Sequence, residues 1–98
     1  MQTLKGKVAL VTGASRGIGR AIAERMSQAG AAVAINYTRS TGEAQKLVAE
    51  IAAAGGKAFA IQADVARVAE VVRMFDEAIA HFGRLDILVN NAGTMFTK

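Results

Sequence analysis

Val8-Ala9-Leu10-Val11-Thr12-Gly13-Ala14-Ser15-Arg16-Gly17-Ile18-Gly19 is the stretch whose reading decides the fold. It opens as a continuous β-type run, Lys7 to Thr12, of the kind buried on both faces of a parallel sheet. The run passes straight into a glycine-rich turn, Gly13 to Gly19. A helical stretch follows, with Ile18, Ile22, Met26 and Ala29 at helix spacing and Gly30 at the C′ stop. Strand, glycine turn and helix in direct succession make the setting in which a dinucleotide pyrophosphate can be held.

The same alternation continues to the end of the chain. Ala31–Asn36 reads as a second buried strand, and Thr41–Ala54 as a helix with Ala44, Leu47, Val48 and Ile51 on one face, ended by Gly55-Gly56. Lys57–Ile61 is a third strand. Asp64 is placed to cap a helix with an apolar stripe of Val68, Val71, Val72, Phe75, Ile79 and Phe82, closed by Gly83. Asp86–Asn90 is a fourth strand. Strands separated by helices of this length lie parallel, joined by right-handed crossovers, with helices on both faces. The expectation is an α/β fold: the first half of a Rossmann-type doubly wound parallel sheet, βαβαβαβ, in strand order 3-2-1-4. Strands 1 and 4 then flank the switch point where such sheets bind ligands.

Composition excludes other classes. At 98 residues the chain is one domain or less, and its 52% apolar content is that of a core-forming chain. It has no cysteine, hence no disulfide framework and no thiolate metal site, which suits a cytoplasmic setting. The opening Met1–Lys7 lacks the apolar segment of a signal peptide, and no aliphatic run is long enough to span a bilayer. The net charge of +4 is spread singly from Lys5 to Lys98 among acids, without a basic stripe, so neither nucleic acid nor membrane is an expected partner. His81, the single histidine, reads as a surface residue in the last turn of a helix, and no cluster has metal-ligand spacing.

The turn's glycines have separable tasks. Gly13 makes the tight exit from the strand, Gly17 leaves room for a pyrophosphate, and Gly19 allows helix and strand to approach. Free N–H groups at the helix start favour the anion. The spacing is G-x-x-x-G-x-G. With Thr12–Gly19 in this place, Asp64-Val65 after the third strand and Asn90-Asn91-Ala92-Gly93 after the fourth, the whole chain resembles the short-chain dehydrogenase/reductase family. The likeness is greatest to its 3-oxoacyl-carrier-protein reductase-like members. An extended-type epimerase, with glycines usually at G-x-x-G-x-x-G, does not fit Gly13, Gly17 and Gly19.

The resemblance implies that Gly13, Ser15, Arg16, Ile18 and neighbouring backbone, with Gly17 and Gly19, wall the cofactor's phosphates. It implies that Asp64 bonds the adenine amino group, that Val65 lines the ring, and that Asn90, Asn91, Ala92 and Gly93 pack beside the ribose and stabilise the central strand. At the end of strand 2, an NAD-preferring site carries a carboxylate for the ribose hydroxyls. Here Asn36, Tyr37, Thr38, Arg39 and Ser40 stand there, with no acid. Arg39, two hydroxyl side chains and Arg16 suit a 2′-phosphate, so NADP(H) is expected over NAD(H).

The family's chemistry is hydride transfer between a nicotinamide and a carbonyl or alcohol substrate, using a Tyr-x-x-x-Lys pair with a Ser and an Asn. The only tyrosine is Tyr37, and Thr41 stands four residues later, so no catalytic residue is assigned in this chain. Residues 1–98 are therefore expected to be the NADP-binding N-terminal half of one Rossmann domain, inactive alone. The catalytic half, and the contacts of a homo-oligomer, would lie elsewhere. The alternative is a non-catalytic half-Rossmann nucleotide-binding or interaction module.

Overall fold

A computed structural model describes residues 3–91 of the chain. Ala92 and Gly93 lie outside the described residues. The element order is β1 (Val8–Val11), α1 (Gly17–Gln28), β2 (Ala32–Tyr37), α2 (Thr41–Ala53), β3 (Ala58–Gln62), α3 (Val68–Phe82) and β4 (Ile87–Val89). All pairings are parallel and the strand order is β3-β2-β1-β4, as the alternation of strand and helix periods requires. Element ends differ from the sequence expectation by one or two residues, except at α3.

Side chains alternate across the sheet. Ala9, Val11, Val33 and Ile35 point to one side, where α1 and α2 supply Ala23, Ala44, Leu47 and Ile51. Leu10, Ala34, Ile61 and Ala63 point to the other, where α3 supplies Met74 and Ala78. β1 and most of β2 are buried on both faces, which is why they read as unbroken apolar runs.

Two expectations for α3 are corrected. Asp64 does not cap it: the helix begins at Val68, with Arg67 at the N-cap position. Asp64 instead accepts the Ala66 N–H on Oδ1 at 3.0 Å and closes a turn of its own, because the chain needs these residues to leave β3 and reach the helix start. The buried face is also rotated from the stripe read in sequence. Met74 and Ala78 are buried, with Val71, Phe75 and Phe82 packed around them, whereas Val68, Val72 and Ile79 are exposed. A helix resting on a sheet covers only part of its circumference, and the apolar arc of α3 is wider than that contact. Leu88 of β4, level with Leu10 of β1, is half exposed on the same side of the sheet.

Candidate functional site

The loops that follow all four strands meet at the carboxyl end of the sheet. A cleft of about 420 Å³ opens there, lined by Thr12, Thr38, Asp64, Val65, Leu88 and Asn90, with Met74 and Phe75 at its floor. Of the residues expected from sequence, the fold brings Thr38, Asp64, Val65 and Asn90 into this one cleft.

Beside it, the glycine turn leads into α1. Gly13 and Gly17 have φ of +61° and +65°, a region that other residues reach only with strain. A Cβ on Gly17 would meet nothing within 4 Å, so the backbone there fronts open space. Gly19 differs: a Cβ would lie 2.3 Å from the Gly13 carbonyl oxygen and 2.7 Å from Asn91 Nδ2. Its missing side chain is what lets α1 sit against the end of β1.

The start of α1 carries no side-chain cap and no acid in its first turn. Its first N–H groups and the positive end of its dipole face the turn without a counter-charge in the first turn of the helix. Ser15 is buried, while Arg16 and Ile18 are exposed. At the end of β2, Tyr37 is buried in the core on the α1–α2 side, Thr38 and Arg39 are exposed, and Ser40 is half-buried. The guanidinium groups of Arg16 and Arg39 make no ion pair among the described residues. Two cations on loops after neighbouring strands thus flank an uncompensated helix start. The arrangement suits a polyanion: donors and charge are in place, with room in front of Gly17.

A polar lattice holds these loops; its Asn91 part was expected to stabilise the central strand, and its Thr12 and Asn36 parts were missed by sequence reasoning. Thr12 Oγ1 accepts the Asn91 N–H at 2.9 Å and donates toward the Val89 carbonyl at 3.3 Å. Asn91 Nδ2 donates to the Gly13 carbonyl at 3.2 Å, tying the end of β4 to the glycine turn. Asn36 Oδ1 accepts the Gly13 N–H at 3.1 Å, and its Nδ2 donates to the Ala63 carbonyl at 3.2 Å. The available signal was an amide side chain, Asn36, inside an otherwise apolar strand. Asn36 is fully buried, and a polar group so placed must be bonded.

A second cleft, of about 720 Å³, lies at the opposite end of the sheet, between Lys5, Lys7, Lys57 and Arg84. It is the larger, yet all three helices end there, and their carbonyl ends repel anions. The cations around it offset those helix ends. Arg84 is further engaged by Asp86 at 2.7 Å, and Asp86 Oδ2 also accepts the Val8 N–H at 2.8 Å. These contacts, the Arg84 hydrogen bond first and the Val8 N–H second, hold the Asp86 carboxyl below its ordinary value of 3.8. Among the described residues no group of side chains is arranged to hold a metal ion, and no helix is long and apolar enough to cross a membrane.

The family profile described as short chain dehydrogenase matches residues 7–98. The chain belongs to this family. A short chain dehydrogenase/reductase of Aspergillus aculeatus is 55% identical over 92 residues, which are 94% of this chain and 35% of that protein. This short chain dehydrogenase chain therefore spans about a third of the length of the curated relative it matches. Among solved structures, a Burkholderia cenocepacia short chain dehydrogenase in complex with NADP is 57% identical, with a TM-score of 0.89 over 92% of this chain and 37% of its own. A blue fluorescent protein from a metagenomic library, in complex with NADPH, is 50% identical, with a TM-score of 0.91 over 94% of this chain and 38% of its own. The Rossmann-type half sheet and the oxidoreductase family are thereby shown.

Proposed function

We propose that residues 1–98 form the NADP(H)-binding N-terminal half of a short-chain oxidoreductase that moves hydride between the nicotinamide and a carbonyl or alcohol carbon. The observation that carries this reading is the bare start of α1 behind the glycine turn, flanked by the guanidiniums of Arg16 and Arg39, which make no ion pair among the described residues. Backbone N–H groups around Gly17 and Ile18 would hold the pyrophosphate. Arg39, Arg16, Thr38 and Ser40 would take the 2′-phosphate, with Tyr37 giving the loop a buried anchor in the core. Asp64 and Val65 would receive the adenine, and Asn90, Asn91, Ala92 and Gly93 would stand beside the ribose.

The bound nicotinamide would supply the hydride; the work of this chain is binding and orientation. Proton transfer at the substrate oxygen would fall to the remainder of the protein, which would also cover the exposed apolar side chains of Val72, Ile79 and Leu88. The NADP and NADPH complexes of two similar structures support this choice of cofactor. A cytoplasmic homo-oligomer acting on a small molecule completes the reading.

Arg39→Asp tests it. A charge-assisted bond is worth about 1.5–3 kcal/mol, so the ratio of NADPH to NADH affinity should fall by roughly tenfold to a hundredfold in a fluorescence titration. An unchanged ratio would remove Arg39 from the site. A wild-type chain with no affinity for either nucleotide would remove the reading altogether.

A further inference from the structure

We infer that Asn36 is a positioning residue that sets the spacing between the pyrophosphate turn and the adenine end of the site, an inference that rests on the nucleotide reading above. Its side chain is fully buried at the end of β2. Oδ1 accepts the N–H of Gly13, the first residue of the glycine turn, at 3.1 Å. Nδ2 donates to the carbonyls of Ile61 at 3.3 Å and Ala63 at 3.2 Å, and Ala63 immediately precedes Asp64. The backbone carbonyl of Asn36 takes the Ala14 N–H at 2.9 Å. One residue thus bonds the turn that would face the phosphates and the turn that would face the base, from a strand lying between them.

Only an amide fits these partners. A carboxylate at position 36 would keep one oxygen as the acceptor for Gly13 but point the other at two carbonyls without a proton to offer. An apolar side chain would leave the Gly13 N–H and the Ala63 carbonyl to find other partners. The same bonds close position 36 to the acid that reads ribose hydroxyls. The choice between NADP(H) and NAD(H) is left to the exposed residues that follow, Thr38 and Arg39. A ligand that touches both turns gains from their fixed spacing, whereas a ligand touching one does not.

The experiment compares NADPH with adenosine on the wild-type chain and on Asn36→Ala, with circular dichroism to verify folding. The variant should lose about tenfold in NADPH affinity, the equivalent of one lost hydrogen bond, and less than about twofold in adenosine affinity. Equal losses for both ligands would mean a purely structural role and overturn the inference, as would no loss for either. If wild type binds no NADPH, the nucleotide reading itself fails and takes this inference with it.

Amide hydrogen exchange on the wild type decides the matter should the variant not fold. The Gly13 N–H should be protected before NADPH is added and unchanged by it, while the Ile18 N–H gains protection on binding. Free exchange at Gly13 until NADPH is added would overturn the inference.

Discussion

Cations stand at both ends of the sheet, yet the two ends are electrostatic opposites. At the carboxyl end, Arg16 and Arg39 stand beside the start of α1, so side-chain charge and helix dipole add. At the amino end, Lys5, Lys7, Lys57 and Arg84 stand where three helices terminate, so charge and dipole cancel. Arg84 is also neutralised by Asp86, which in turn holds the backbone of β1. The larger cleft lies at the cancelled end and the smaller one at the additive end. Volume alone favours the amino end; the direction of the helices favours the carboxyl end for an anion.

The strongest blow to this contrast is Gly19→Ala. The new methyl group would meet the Gly13 carbonyl, which is backbone and cannot swing away. A loss of about 3 kcal/mol is expected, lowering the melting temperature by roughly 10–20 °C for a chain of this size. A melting temperature within about 2 °C of wild type would show that α1 does not pack as closely as described. Gly17→Ala should instead separate binding from stability. Open space surrounds this position, so the cost in stability is about 1 kcal/mol, from the positive φ alone. NADPH affinity should nevertheless fall by at least about tenfold, because the methyl group would stand between the backbone and the pyrophosphate. Equal NADPH affinity in the variant would place the phosphates elsewhere.

The amino end offers a smaller effect, visible in pH. The Asp86 carboxyl is depressed in the folded chain, so its contribution is present above the ordinary value of 3.8 and fades as pH falls through the lower folded value. Melting temperature should therefore decline on acidification below about pH 5, partly through this group, and Asp86→Asn should flatten the decline while lowering stability at neutral pH. NADPH affinity at pH 7 should be the same in wild type and Asp86→Asn. A change in affinity would couple two ends that the electrostatic contrast keeps apart.

Much of this was legible in the residues because it depends on short-range rules. The run Val8–Val11 is buried on both faces, so its burial left an uninterrupted apolar signature. The helix stops at Gly30, Gly55 and Gly83 are backbone effects that need no partner. Other features were not legible because their cause lies elsewhere in the chain. Asn36 looks like the polar end of a strand until Gly13 and Ala63 are brought to its side chain. Asp64 has the pattern of a helix cap, but the helix starts four residues later and the carboxylate closes its own turn. Val68, Val72 and Ile79 share the periodicity of buried neighbours yet remain exposed, since periodicity reveals an apolar arc and not which part of it meets the sheet.

The sequence by itself determined the parallel alternation, the glycine turn with its opening for an anion, and the absence of an acid at positions 36–40, all of them properties of neighbours in the chain. Tertiary structure alone decided which cations are without an ion pair among the described residues, which cleft has helix starts around it, and which buried amide joins two loops from the strand between them. Each of those depends on residues that are 23 to 79 positions apart in the chain and meet only when the strands align.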